Sequence, residues 1–144
     1  MSYSLAFSQS LFIMLYVATK VGQGVYEFVP TQEISHDLNI PPSTAAMILR
    51  RLSRAGLIET REGASGGVRL ALLPEQVTFL DIFKAMEQER PMFQTNIQLR
   101  VTGEKPTKIQ QNILEILGSA ENAMKTDLQR TTIQDLINAI RKLS

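Results

Sequence analysis

The stretch TQEISHDLNIPPSTAAMILRRLSRAG, residues 31–56, decides the fold, because it reads as two short helices joined by a tight turn with the second helix presented to solvent. Thr31 is a good N-cap, able to accept a bond from an orphan backbone N–H, and Ile34 and Leu38 fall four apart on one face. Asn39 ends that helix, and Pro41-Pro42 fixes two successive φ angles. Pro42 suits a first helical position, where a missing N–H costs nothing. In the helix that follows, Ala45, Ile48, Leu49 and Leu52 keep the i, i+3, i+4, i+7 spacing of a buried stripe, leaving Ser43, Met47, Arg50 and Arg54 outside. Gly56 stops it. A small or polar first turn followed by arginines is what a DNA recognition helix needs: its start reaches base edges and later cations meet phosphate.

Working outward, residues 57–62 tend toward period two, GASGG at 63–67 turns the chain, and residues 68–72 return, which predicts a hairpin with a glycine-rich tip. A two-stranded wing beside a helix-turn-helix is the winged-helix arrangement. The same loop is not a nucleotide-phosphate loop, since no GK[ST] follows and a strand comes next. Residues 25–29, rich in Val, Tyr and Phe, read as a short extended piece that pairs with the hairpin. Upstream, residues 3–21 read as a mostly buried helix closed by Gly22 and Gly24. Downstream, Thr78 and Asp81 form a capping box that launches a helix with Ile82, Phe83 and Met86 inward, ending near Glu89.

Residues 90–105, bracketed by Pro91, Gly103 and Pro106, read as a linker with a short strand at 97–101. From 107 to 129 one long apolar stripe runs through Ile109, Ile113, Ile116, Leu117, Ala120 and Met124, more apolar face than so small a chain can cover, so a partner helix is expected there. Thr132 and Asp135 make a second capping box for a last helix folding back on the long one. The expected organisation is mainly α: a winged helix-turn-helix with a small β-hairpin wing over 1–89, a linker over 90–105, and dimerisation helices over 106–144.

Composition excludes several classes. The longest apolar run, residues 11–17 with Tyr16 inside it, is far below the roughly 20 residues of a membrane span. No positive n-region marks a signal peptide, so a cytoplasmic protein is expected. The chain has no cysteine and one histidine, His36, which removes thiolate chemistry and leaves no base, nucleophile or metal set for an enzyme; no cofactor is expected. Net charge is only +1, but between Leu49 and Leu72 Arg50, Arg51, Arg54, Arg61 and Arg69 stand against Glu59 and Glu62, a local basic patch.

With these residues in view, the sequence resembles the bacterial Rrf-two family of transcription regulators over nearly its full length. The carrying features are IPPS at 40–43 running into ILRRL at 48–52, AGLI at 55–58, the wing GASGGVRL at 63–70, VTFLDI at 77–82, and the closing TTIQDL at 131–136. The resemblance implies a homodimeric winged-helix DNA binder, usually a repressor, whose long helices cross at the dimer interface. Cluster-binding members carry three cysteines in the segment matching 91–108; here there are none, so an iron–sulfur cluster or thiol switch is not expected. Ser43 matches a family serine that faces DNA, while the family's common Glu-Gln pair is Ala46-Met47. A basic residue before the wing glycine is replaced by Glu62, leaving Arg61 or Arg69 to serve. The surface expected against double-stranded DNA is therefore Thr31, Gln32, Ser43, Thr44, Ala46, Met47, Arg50, Arg51, Arg54, Arg61, Ser65, Gly66 and Arg69. Two readings stand: a sequence-specific DNA-binding repressor at an inverted-repeat operator, or a winged-helix protein-interaction module that has lost DNA binding, which Glu62 and the low net charge favour. A small-molecule effector would need a pocket near Phe83, Met86, Met92 and Phe93, residues that core packing explains better.

Overall fold

The computed structural model describes residues 4–87 and 90–143. Tyr3, placed at the first helix's start, and Glu89, placed at a helix end, lie outside them. Helix α1 (Ser4–Gly22) is the central rod of the winged body: Ile13, Met14 and Val17 are fully buried against the rest of the core. By length and composition alone Leu5–Gly22 would pass as a membrane span, but its inward side is this core. The buried Ser10 hydroxyl donates to the Phe7 carbonyl at 2.6 Å, and the Phe7 ring meets Phe83 edge-on at 5.3 Å.

Helix α2 (Thr31–Asp37) starts differently from expectation. Pro30 occupies the cap position with φ −59° and ψ 137°, and its carbonyl receives the Glu33 and Ile34 N–H groups, so Thr31 is the first helical residue and caps nothing. The helix ends as Asn39 turns left-handed at φ 52°, with Asn39 N–H on the His36 carbonyl and Ile40 N–H on the Ser35 carbonyl. Ser35 Oγ then donates to the Ile40 carbonyl at 2.6 Å and locks the turn. Helix α3 (Pro42–Arg54) buries Ala45, Ile48, Leu49 and Leu52, the stripe read from sequence. It closes through Gly56 at φ 75°, with Gly56 N–H on Ser53 and Leu57 N–H on Leu52.

The wing is the antiparallel pair β1 (Ile58–Arg61) and β2 (Gly67–Leu70), with Glu59 opposite Arg69 and Arg61 opposite Gly67. Residues 25–29 reach it through one bridge, Val29 exchanging both backbone bonds with Val68. After a 3₁₀ turn at Pro74–Gln76, α4 (Phe79–Glu87) opens on the expected reciprocal cap: Asp81 N–H to Thr78 Oγ1 at 3.1 Å and Thr78 N–H to Asp81 Oδ2 at 3.0 Å. Ile82, Phe83 and Met86 point inward.

Residues 97–101 form no strand, correcting the sequence expectation; among the described residues the one sheet is the wing, and nothing presents an edge to this segment. Helix α5 (Glu104–Gln129) begins three residues earlier than predicted, Gly103 preceding it and Thr107 Oγ1 donating to the Gly103 carbonyl. It runs unbroken through Gly118 and packs on α4 without burying a single residue. Helix α6 (Ile133–Arg141) carries the second capping box but does not fold back on α5 as expected. It docks on α1 and the 3₁₀ turn: Ile133 is fully buried, its N–H bonds the Val77 carbonyl, and Phe79 N–H bonds the Thr131 carbonyl. Helix α6 is thus part of the winged body.

Candidate DNA interface

The outer face of α3 is a consequence of its register. Burying Ala45, Ile48, Leu49 and Leu52 turns Ser43, Ala46, Arg50 and Arg54 fully outward, with Thr44 and Met47 half-buried at the margins. The first turn holds no acidic residue, so the positive end of the helix dipole is uncompensated and faces solvent. Thr31 and Gln32 lie at the start of α2, where they line two clefts. One, of about 440 Å³, faces Ala46 of α3; the other, of about 460 Å³, faces Arg61 and Gly66 of the wing. One surface therefore carries the start of α2, the outer side of α3 and the inner side of the wing.

The arginines expected on that surface divide into two groups. Arg50 and Arg54 are exposed and engage no partner among the described residues. Arg51 departs from its expected place: it is half-buried and its Nη1 donates to the Met86 carbonyl at 2.8 Å, tying α3 to α4. Arg61 and Arg69 are also engaged. Arg61 donates to the Ser65 carbonyl (Nη2 at 2.8 Å) and pairs with Glu27 at 3.3 Å; Arg69 pairs with Glu59 at 3.0 Å and Glu27 at 3.7 Å. Both guanidiniums sit over the Phe28 ring, 4.2 and 4.4 Å from its centre. Glu27 and Phe28 are not legible as part of the site from sequence, because they stand more than 30 residues before Arg61 in the chain and only the fold brings them to the wing. The alternation of acidic Glu27 and aromatic Phe28 just before the Val29 bridge was the available signal.

Gly66, placed by the sequence on the surface expected against DNA, has a closer reason to be glycine. A Cβ there would stand 2.3 Å from the Arg61 carbonyl oxygen, inside the wing's own turn.

His36 lies at the surface of α2. Its ring is 88% exposed and bonded to Asp37 at 3.0 Å, which raises its pKa, while Asp37 also accepts from Tyr16 Oη at 2.5 Å and is lowered by both donors. This cluster pins α2 to α1. Among the described residues no three His, Asp or Glu side chains gather as a metal site.

The chain as a whole is similar to known regulators. The Rrf2 family, the Rrf-two family of the resemblance above, is described as "Iron-dependent Transcriptional regulator" and matches residues 3–139. The HTH-type transcriptional regulator NsrR of Bacillus licheniformis is 28% identical over 93% of this chain and 92% of its own length. The solved structure of CymR, the global cysteine regulator of B. subtilis, aligns over 96% of this chain and 98% of its own with a TM-score of 0.68 and 25% identity. A structure from Lactobacillus plantarum covers 95% of this chain and 90% of its own with a TM-score of 0.75; at 18% identity it shows the shared fold. The family's iron dependence does not fit these residues. Iron–sulfur clusters are held by thiolates, and none of the 144 residues is a cysteine.

Proposed function

The chain belongs to the Rrf2 family of transcriptional regulators, and from that premise we propose a sequence-specific DNA-binding repressor that acts in the cytoplasm as a homodimer on an inverted-repeat operator. The observation that carries the reading is the outer face of α3, where Arg50 and Arg54 stand exposed with no partner among the described residues, beside a first turn free of acidic residues. A helix of this kind enters the major groove by its N-terminal end while arginines a turn or two later meet phosphate. The dimer is supported by α5, a 26-residue helix with no buried residue and with Ile109 and Ile116 each more than half exposed. A two-fold dimer would present two copies of α3 to a two-fold operator.

Selection of host genomic fragments by the purified protein, followed by gel-shift titration, tests this. An inverted repeat bound at least a thousandfold more tightly than random duplex is expected. Enrichment of no sequence overturns it. The second reading, a protein-interaction module without DNA binding, is favoured by the wing, whose Arg61 and Arg69 are neutralised by Glu27 and Glu59. It predicts no duplex binding even at low salt.

A further inference from the structure

The register of the hairpin puts Arg61 and Arg69 on one side of the wing, two residues apart across the strands. Between them stands the Glu27 carboxylate, while Arg69 Nε also donates to Glu59 Oε2 at 3.0 Å. Glu27 places Oε2 3.3 Å from Arg61 Nη1 and Oε1 3.7 Å from Arg69 Nη1, one oxygen to each guanidinium. The buried Phe28 ring supports both cations from the side, and the Ser65 carbonyl holds Arg61 in place. A monoanion bridging two oriented guanidinium forks is the arrangement in which arginines also bind a phosphodiester, which offers two free oxygens and one charge.

The holding forces on Glu27 are weak. Its side chain is 65% exposed, and ion pairs of that kind are worth little in water. Phe28, by contrast, is buried and keeps the guanidiniums together when the carboxylate leaves. We infer that Arg61 and Arg69 form a backbone-phosphate site on each wing, and that Glu27 masks it in the free protein. The inference rests on the DNA-binding reading above. On binding, a DNA phosphate takes the place of the Glu27 carboxylate, which turns to water and takes up a cation. That uptake offsets the counterions released from DNA, so the wing adds less affinity than its two arginines would alone.

The test compares wild type, Glu27→Gln and the charge-matched Glu33→Gln on a mixed-sequence DNA duplex across a salt series, with the full chain. Glu33 lies exposed on α2 and makes no ion pair with the wing among the described residues. Glu27→Gln should bind roughly fivefold more tightly at about 0.1 M salt, and its log–log salt slope should steepen by about one per wing. Glu33→Gln should gain less than about twofold with an unchanged slope. In a Glu27→Gln, Arg61→Ala double variant the gain should vanish. Wild type that binds duplex while Glu27→Gln matches it, or matches Glu33→Gln in both readouts, overturns the masked site and leaves DNA binding intact. Failure of wild type and Glu27→Gln alike to bind duplex at low salt overturns the DNA reading and the site together.

Discussion

Arg50 and Arg51 are neighbours in one helix with different work. Arg50 points to solvent; Arg51 crosses to the Met86 carbonyl. Replacing Arg50 by Ala should weaken specific and non-specific DNA binding together and reduce the salt slope by about one per half-site, as measured by salt-dependent titration. A changed base preference with an unchanged slope would reassign Arg50 to base readout. Arg51→Ala should leave the slope alone and lower stability by about 1 kcal/mol in urea unfolding, since a charged donor to a carbonyl is lost at a half-buried site. The periodicity of α3 was enough to place Arg50 and Arg54, because burial of four residues fixes which way the others face. It was not enough for Arg51, whose acceptor lies 35 residues further on. At the start of the helix, Thr44, Ala46 and Met47 offer no bidentate donor fork, so apolar contact with thymine methyls is the readout left to them. An operator A·T-rich at those positions is expected, and replacing its thymines by uracil should cost about 1 kcal/mol per lost methyl. Equal binding of the uracil operator, or a G·C-rich consensus there, would refute methyl readout.

At the scale of elements, what sequence could place was what is local. Both capping boxes, Thr78 with Asp81 and Thr132 with Asp135, join residues three apart and form as read. Thr132→Ala should accordingly cost about 1 kcal/mol of stability. The strand expected at 97–101 fails for the converse reason: alternation supplies a face but not a partner, and Ile97 and Val101 remain exposed. Proximity in sequence favours packing α6 on α5, whereas the backbone bonds from Ile133 to Val77 and from Phe79 to Thr131 take it to the winged body. The wing's dependence on residues 25–29 is sharper than its composition suggests. A Cβ on Gly67, at φ 153°, would stand 2.2 Å from the Val29 carbonyl oxygen, closer than any side chain tolerates and against backbone that cannot swing away. Gly67→Ala should therefore break the Val29–Val68 bridge and lower stability by about 2 kcal/mol or more, read as a fall in Tm. An unchanged Tm would mean the wing is not anchored there.

For the whole molecule, the question is what α5 is for. At about 1.5 Å per residue its 26 residues span roughly 39 Å. None of them is buried, and Ile109, Ile113 and Ile116 are 59%, 50% and 60% exposed along one stripe. Intramolecular packing does not account for that stripe, because α6, the element expected to cover it, is committed to α1. Leu5 and Phe12 leave a second apolar strip on α1, each more than 60% exposed. Apolar surface of this extent is the kind that association covers, and in the dimer proposed above a helix–helix seam between two copies would bury it. A carboxylate placed in the seam would be desolvated opposite its own symmetry mate, a penalty of several kcal/mol that outweighs what one isoleucine contributes. If the proposed dimer forms through this seam, Ile116→Asp should scatter light as a monomer or an aggregate at protein concentrations where the wild type scatters as a dimer. Measured near the wild-type dissociation constant, an unchanged dimer would show that the seam lies elsewhere on the molecule, with the α1 strip at Leu5 and Phe12 the next surface to disrupt.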